Sequence, residues 1–351
     1  MRTRMLLAVT AAAAMTLAGC GRTPAAPPAD AAAAALAGLG AEHIKVGMAF
    51  DVGGRGDKSF NDMAGVGLDR AKKELEIEVT ETAPAKSDDG VRIATLNKLV
   101  ESGNNPVFAV GFQYVNALKK VAADHPETTF AIIDDDSIAA NNVVSLVFAE
   151  EQGSFLVGAA AALKSHTGVV GYIGGVQIPL LQKFEAGFTA GAKHVNPKIK
   201  VQVQYLSAPP DFSGFGVPDK AKQVAADMLK ADADVIYAAA GGSGSGALQA
   251  VGATDNAAFV GVDSDQYASA DPAVQPRVLT SMLKRVDNAV FQEIQAFIKG
   301  DRAGGVRRFD LKTDGIGYAT SNQAEIAPLQ PELERLRQQL YDGKIVAPTK
   351  P

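Results

Sequence analysis

The sequence predicts two α/β units in series, each a parallel sheet flanked by helices. Three observations carry this. From about residue 44 onward, short apolar runs alternate with stretches of helical periodicity, the pattern of repeated βαβ units. A chain of 351 residues accommodates about two domains at roughly 150 residues each. Beyond Val262 too few elements remain for a third unit, so the chain is expected to pass back between the two lobes.

In the first unit a strand over 44–50 leads through a Gly-rich loop to a helix over about 61–75. Ala64, Leu68, Ala71 and Leu75 share one face of it, and Ser59 is its expected N-cap. A strand over 77–80 follows, then a helix from Asp88 with Ile93, Leu96 and Val100 on one face. A strand over 106–111 precedes a helix carrying Val115, Leu118 and Ala122. A strand over 129–133 runs into Asp134-Asp135-Asp136, and a strand over 143–148 closes the set. Such repeats imply right-handed crossovers.

The second unit opens with a helix over 152–163. Strand 169–173, helix 179–195, strand 201–206 and a Pro- and Gly-rich loop over 207–218 come next. Helix 220–229, strand 235–239, helix 247–254 and strand 259–262 complete it. A strand over 277–281, an amphipathic helix over 287–298, a strand over 308–311 and a charged helix over 331–341 remain. No short-period repeat interrupts this order.

Composition excludes several classes. Net charge is −5 with dispersed basic residues, which argues against a nucleic-acid surface. Tryptophan is absent and aromatics are 6%, so no large aromatic recognition surface is expected. The four histidines are scattered and Cys20 is the sole cysteine, so no internal disulfide and no metal site are expected. No nucleophile elbow is present. The run Gly241-Gly242-Ser243-Gly244-Ser245-Gly246 imitates a phosphate loop but lacks the G-x-G-x-x-G spacing. Neither a catalytic residue nor a cofactor is expected.

The amino terminus reads as a leader. Met1-Arg2-Thr3-Arg4 is basic, residues 5–16 are apolar over signal-peptide length, and Leu17-Ala18-Gly19-Cys20 resembles a lipobox. Cleavage before Cys20 would leave a lipidated amino terminus, followed by an Ala- and Pro-rich tether. The protein is expected on the extracytoplasmic face of the cell membrane, anchored by lipid.

Loops at the carboxyl ends of parallel strands bind ligands in open α/β sheets. Asp51, Phe60 and Asn61 follow the first strand and Asp134 follows the fourth. Phe215 lies in the 207–218 loop, Gly241 follows 235–239, Asp263 follows 259–262 and Lys284 follows 277–281. An amide both donates and accepts, whereas a carboxylate only accepts. Asn61 therefore suits a ring nitrogen with its exocyclic amine, and Asp263 a vicinal diol. Two phenylalanine faces suit a flat base, at about 1–3 kcal/mol per stacked base. Bland alternatives coexist. Asp51 and Asp57 are also turn or cap residues, with Asp57 the better candidate for structure; Phe60 suits a core; Asp263 and Lys284 can pair across a hinge. Arg55, Lys58 and Arg285 read as surface or loop charges.

The run Asp51-Val52-Gly53-Gly54…Asp57-Lys58-Ser59-Phe60-Asn61 resembles the signature of the basic membrane protein family of substrate-binding lipoproteins, which includes bacterial purine nucleoside receptors. Further matches are Gly111-Phe112, Phe130-Ala131-Ile132-Ile133-Asp134, Gly153-Ser154-Phe155-Leu156-Val157-Gly158, Phe184-Glu185-Ala186-Gly187-Phe188, Gly261-Val262-Asp263-Ser264-Asp265-Gln266 and Leu279-Thr280-Ser281…Lys284. The resemblance covers residues 44–320. It implies a type I periplasmic-binding-protein fold: two doubly wound lobes joined by a three-crossover hinge. It also implies that Phe60 and Phe215 sandwich a purine base, with Phe212 in the same loop as the alternative second face. Asp51, Asn61 and Asp134 would bond the base edge, and Gly241, Asp263 and Lys284 the ribose.

The domain plan expected is a signal peptide over 1–19 and a lipidated tether over 20–43. The amino-terminal lobe spans 44–147 plus about 286–306, and the carboxyl-terminal lobe 148–285 plus about 307–345. The function expected is a monomeric receptor that closes on a purine nucleoside and delivers it to ABC permease and ATPase subunits. The competing readings are a binding protein for another polar molecule such as a sugar, a dinucleotide enzyme, and an adhesion or signalling lipoprotein.

Overall fold

The computed structural model describes residues 43–351; the expected leader, Cys20 and tether lie outside them. The strands are β1 (Lys45–Ala49), β2 (Glu78–Thr82), β3 (Val107–Ala109), β4 (Phe130–Ile133), β5 (Val143–Phe148), β6 (Val169–Val176), β7 (Lys200–Ser207), β8 (Val235–Ala239), β9 (Ala258–Asp263), β10 (Val278–Lys284), β11 (Gly305–Phe309) and β12 (Ile316–Tyr318). They form two sheets, in the orders β11-β5-β4-β3-β1-β2 and β12-β10-β9-β8-β6-β7. The first five strands of each unit therefore occupy matching places. All pairings are parallel except β10 with β12.

Helices cover both faces of each sheet, so strand residues such as Val46, Met48, Phe108, Ile236 and Val260 are fully buried. The Phe60–Leu75 helix buries Ala64, Leu68, Ala71 and Leu75, the stripe its periodicity predicts. The Glu150–Lys164 helix is buried almost all round, because it lies between the Pro179–Val195 helix and strands β10 and β12. The helix starts two residues earlier than expected, and that first turn, Glu150 and Glu151, is buried.

That helix pair touches backbone to backbone. A Cβ on Gly191 would collide with the Phe155 carbonyl, and one on Gly158 with the Phe188 carbonyl. Gly191→Ala should therefore destabilise the protein by about 1–3 kcal/mol or more, although alanine favours a helix over glycine by about 1 kcal/mol. Urea unfolding checks this; an unchanged midpoint would contradict the packing described.

Two differences from the expected plan concern the return segment. β11 starts three residues earlier than the expected strand and lies parallel to β5 in the first sheet through Phe309, so that sheet extends past the expected changeover at about 306. β12 was not expected at all. Its three residues are too few to display a period, and it enters the second sheet antiparallel because the chain arrives from the hinge end.

Three crossovers join the lobes, after β5, β10 and β11. They are laced side by side. Ala149 N–H donates to the Phe309 carbonyl (2.9 Å) and Arg285 N–H to the Gly315 carbonyl (2.9 Å). The Arg308–Glu151 ion pair (2.7 Å) spans the first and third. The architecture is the two-lobed type I fold that the resemblance implies.

Candidate ligand cleft

In both sheets the winding reverses at β1 and β6, where crevices form beyond the carboxyl ends of the strands. The two crevices face each other and enclose a cavity of about 1240 Å³. All eight candidate residues line it: Asp51, Phe60, Asn61 and Asp134 from the first lobe, and Phe215, Gly241, Asp263 and Lys284 from the second.

The loop between β1 and the Phe60–Leu75 helix is shaped by Gly53, Gly54 and Gly56, each at positive φ. The helix start differs from expectation. Ser59 occupies the cap position but its side chain makes no cap bond. Asp57 does that work: its carboxylate accepts from the N–H groups of Ser59 (2.9 Å), Asn61 (2.9 Å) and Asp62 (3.1 Å). A carboxylate complements the helix dipole and satisfies several free N–H groups together. This releases the fully buried Ser59 hydroxyl, which crosses the cleft and donates to Asp263 Oδ2 at 2.5 Å.

Further bonds cross beside it. The Lys58 carbonyl accepts from Ser264 Oγ (2.7 Å) and Gln266 Nε2 (3.3 Å), and Lys58 Nζ donates to the Ser269 carbonyl (2.9 Å). Lys58, an exposed loop residue, thus also makes interlobe contacts. Arg55 is held by Asp69 and Glu81. The lobes are closed upon one another.

Lys284 sits at the second crossover with 1% of its side chain exposed. It does not pair with Asp263. Its Nζ lies 2.6 and 2.7 Å from the two Asp134 oxygens and 3.3 Å from Glu150 Oε1. The rings of Phe60, Phe148 and Phe184 surround the ammonium at 5.0–5.6 Å, a favourable placement for a cation. Burial disfavours its charge, but Asp134, Glu150 and Asp263 outweigh that and hold its pKa above the ordinary lysine value.

Asp134 follows β4 and Asp263 ends β9, strands at matching places in the two sheets, and both residues adopt the left-handed backbone (φ 71° and 65°). That conformation is costly for most residues and tolerated by Asp. Burial pushes both carboxyls up, Asp263 to about 6, while Lys284 opposes the rise in each.

The aromatic wall comes from both lobes. Phe215 seats on Gly175, where a Cβ would lie 2.5 Å from its ring, and its Cβ is 3.6 Å from the place a Gly241 Cβ would take. Both Phe212 and Phe215 meet Phe112 of the opposite lobe, at 6.0 and 6.5 Å between ring centres. Of the two phenylalanines in that loop, Phe215 is the one built against Gly241.

Sequence reasoning missed four participants: the Ser59 hydroxyl as a lobe-to-lobe donor, Glu150 beside Lys284, and Arg92 with Gln113 on the first-lobe wall. Arg92 follows Asp88 and Asp89 on a polar helix face, so nothing local marks it as buried, yet it is 4% exposed.

A family model described as "ABC transporter substrate-binding protein PnrA-like" matches residues 44–350. The chain belongs to this PnrA-like family of ABC transporter substrate-binding proteins. Among its relatives, the CD4+ T-cell-stimulating antigen of Listeria monocytogenes is 34% identical over 328 residues, covering 87% of this chain and 88% of the relative. The ABC transporter nucleoside-binding protein BmpA of Lactococcus lactis is 31% identical over 322 residues, covering 88% and 90%. A crystal structure of an ABC transporter solute-binding protein from Aeropyrum pernix superposes on the PnrA-like chain with a TM-score of 0.75 at 30% identity, covering 87% of this chain and 94% of that one. The family is one of substrate-binding proteins of ABC transporters.

Proposed function

We propose that this PnrA-like protein captures purine nucleosides by hinge closure and delivers them to the permease and ATPase of an ABC importer. The observation that carries the reading is one closed cleft holding flat aromatic faces, a carboxylate–amide pair and a buried carboxylate–ammonium end together. The nucleoside-binding name of the Lactococcus relative supports it. Phe60 and Phe215 take the faces of the base. Asp51 and Asn61 take its polar edge, with Asp134 acting through lone pairs that Lys284 leaves. Asp263 accepts from both ribose hydroxyls, Lys284 donates to a ribose oxygen, and Gly241 lets the backbone approach the sugar. The protein acts as a monomer, with its lobes free to hinge, held at the extracytoplasmic membrane face by lipid on Cys20.

Calorimetry with adenosine, guanosine, inosine, cytidine, uridine and ribose tests the reading. Purine nucleosides should bind tightest; a free sugar binding where no nucleoside does would sink it.

The same titration carries a pH signature. In the ligand-free cleft Asp263 titrates at about 6, above the unfolded value near 3.9. The unliganded closed form thus gains stability as pH falls through about 6 toward about 4, and loses it as pH rises through about 6. A ribose diol donating to the carboxylate stabilises its ionised form and lowers that pKa. Nucleoside binding should therefore release a proton near pH 6, and affinity should fall as pH drops below about 6, by up to tenfold per unit. Constant affinity between about pH 7.5 and pH 5 would remove the diol from Asp263.

A further inference from the structure

The polar residues on the first-lobe wall form one directed chain. Arg92 lies 5.6 Å over the Tyr114 ring. Its Nη2 donates to Gln113 Oε1 at 2.7 Å, and Ser87 Oγ donates to the same oxygen at 2.8 Å. A guanidinium only donates, so the Gln113 amide has a fixed sense. Its Nε2 faces Asp51 and donates to Oδ2 at 3.1 Å. Asp51 Oδ1 accepts from Val52 N–H at 2.8 Å and lies 3.7 Å from Arg92 Nη2. Each of these neighbours is a donor. The Asp51 N–H in turn donates to Asn61 Oδ1 at 3.2 Å, which leaves Asn61 Nδ2 as the donor on the cavity wall. A fixed acceptor stands beside a fixed donor.

We propose that Arg92 and Gln113 are positioning residues that set the base selectivity of the cleft, by holding Asp51 as an acceptor-only group beside the Asn61 donor. The ligands selected are purines whose edge carries an N–H donor next to an acceptor. This rests on the nucleoside reading above. Adenine offers N6–H₂ beside a ring nitrogen, and hypoxanthine and guanine offer N1–H beside O6. Unsubstituted purine bearing ribose at N9 has ring acceptors and no N–H. It would set a lone pair against the Asp51 carboxylate, and a site built to accept a donor rejects an analogue lacking one.

The charged and titratable groups around this carboxylate are few. Arg92 is its cation, and Asp89 on the same helix lies 3.7 Å from Arg92 Nη1. The Tyr114 phenol is occupied in donating to the Phe50 carbonyl at 2.8 Å. Burial already pushes Asp51 up, and Arg92 and Gln113 oppose it. Without Arg92 the carboxyl loses part of that opposition and takes up a proton more readily; once protonated it is a donor itself and admits the unsubstituted base.

The test is calorimetry of the whole protein with inosine, adenosine and purine riboside. The wild type should bind purine riboside roughly 10- to 100-fold more weakly than inosine, the value of one hydrogen bond to an ionised group. In Arg92→Met and in the half-exposed Gln113→Leu, this ratio should shrink toward unity. It should shrink further as pH falls, because a protonated Asp51 donates instead of accepting. Arg92→Lys, which still donates to Gln113, should keep most of the discrimination. Both nucleosides carry the same ribose, so titration of Asp263 cancels in the ratio. Equal weakening of all three ligands with an unchanged ratio is the mark of mere packing and overturns the proposal, as does a wild type that binds purine riboside like inosine. A wild type binding none of the three overturns the nucleoside reading itself. Should Arg92→Met fail to fold, Gln113→Leu decides alone.

Discussion

Replacing Lys284 with methionine should cost about 3–5 kcal/mol of stability, the penalty for stranding buried partner charges. Lys284 Nζ is the cation within 2.7 Å of both Asp134 oxygens, and it also serves Glu150 at 3.3 Å. Glu150 keeps a second partner, Lys183 at 3.3 Å, so the burden falls on Asp134. The loss should lessen as pH falls, because an unpaired buried carboxyl is relieved by protonation. The double variant Lys284→Met with Asp134→Asn should recover most of the stability, since removing both members of a buried pair costs far less than removing one. Urea unfolding of the two variants at two pH values checks this. A single variant as stable as the wild type would show that the hinge charges are not coupled in the way their geometry implies.

Asp263→Asn should lower nucleoside affinity by about 1000-fold, two hydrogen bonds to an ionised acceptor, with the fold intact. Asparagine tolerates the left-handed backbone that Asp263 adopts (φ 65°). Its carbonyl oxygen still accepts from the Ser59 hydroxyl, so the lobe-to-lobe bond survives. The variant also removes the group that titrates at about 6, so the pH dependence of binding should vanish with the affinity. Unliganded stability near pH 7.5 should be unchanged or higher, because a desolvated charge is gone. Calorimetry giving near-native affinity would remove Asp263 from the ribose, while a large fall in melting temperature would mean that its role is structural.

Much of this architecture was legible in the chain. Val143–Phe148 and Pro179–Val195 have the bounds that their apolar patterns predict, because a buried strand or an amphipathic helix needs only its own residues to display a period. The polar residues that line the cleft could be picked out because parallel sheets gather ligands at the carboxyl ends of their strands. β12 escaped notice through its length, and the buried Glu150–Glu151 turn through its polarity. Ser59 was assigned to the cap by residue type. The choice went to Asp57 because an ionised carboxylate reaches three N–H groups where a hydroxyl reaches fewer.

By itself, then, the sequence determined the two α/β units, their order, the glycine-shaped first loop and the set of residues able to meet a ligand. Only the tertiary structure decided who partners whom. Lys284 chose Asp134, 150 residues away, over Asp263, and Ser59 found Asp263 across 204 residues. Gln113 acquired its amide sense from Arg92, 21 residues earlier. The reason is one of range. Periodicity records which face of a segment is buried, a local property. The pairing of charges in a low-dielectric hinge depends on separations of a few ångströms, and those exist only once three crossovers have brought both sheets together.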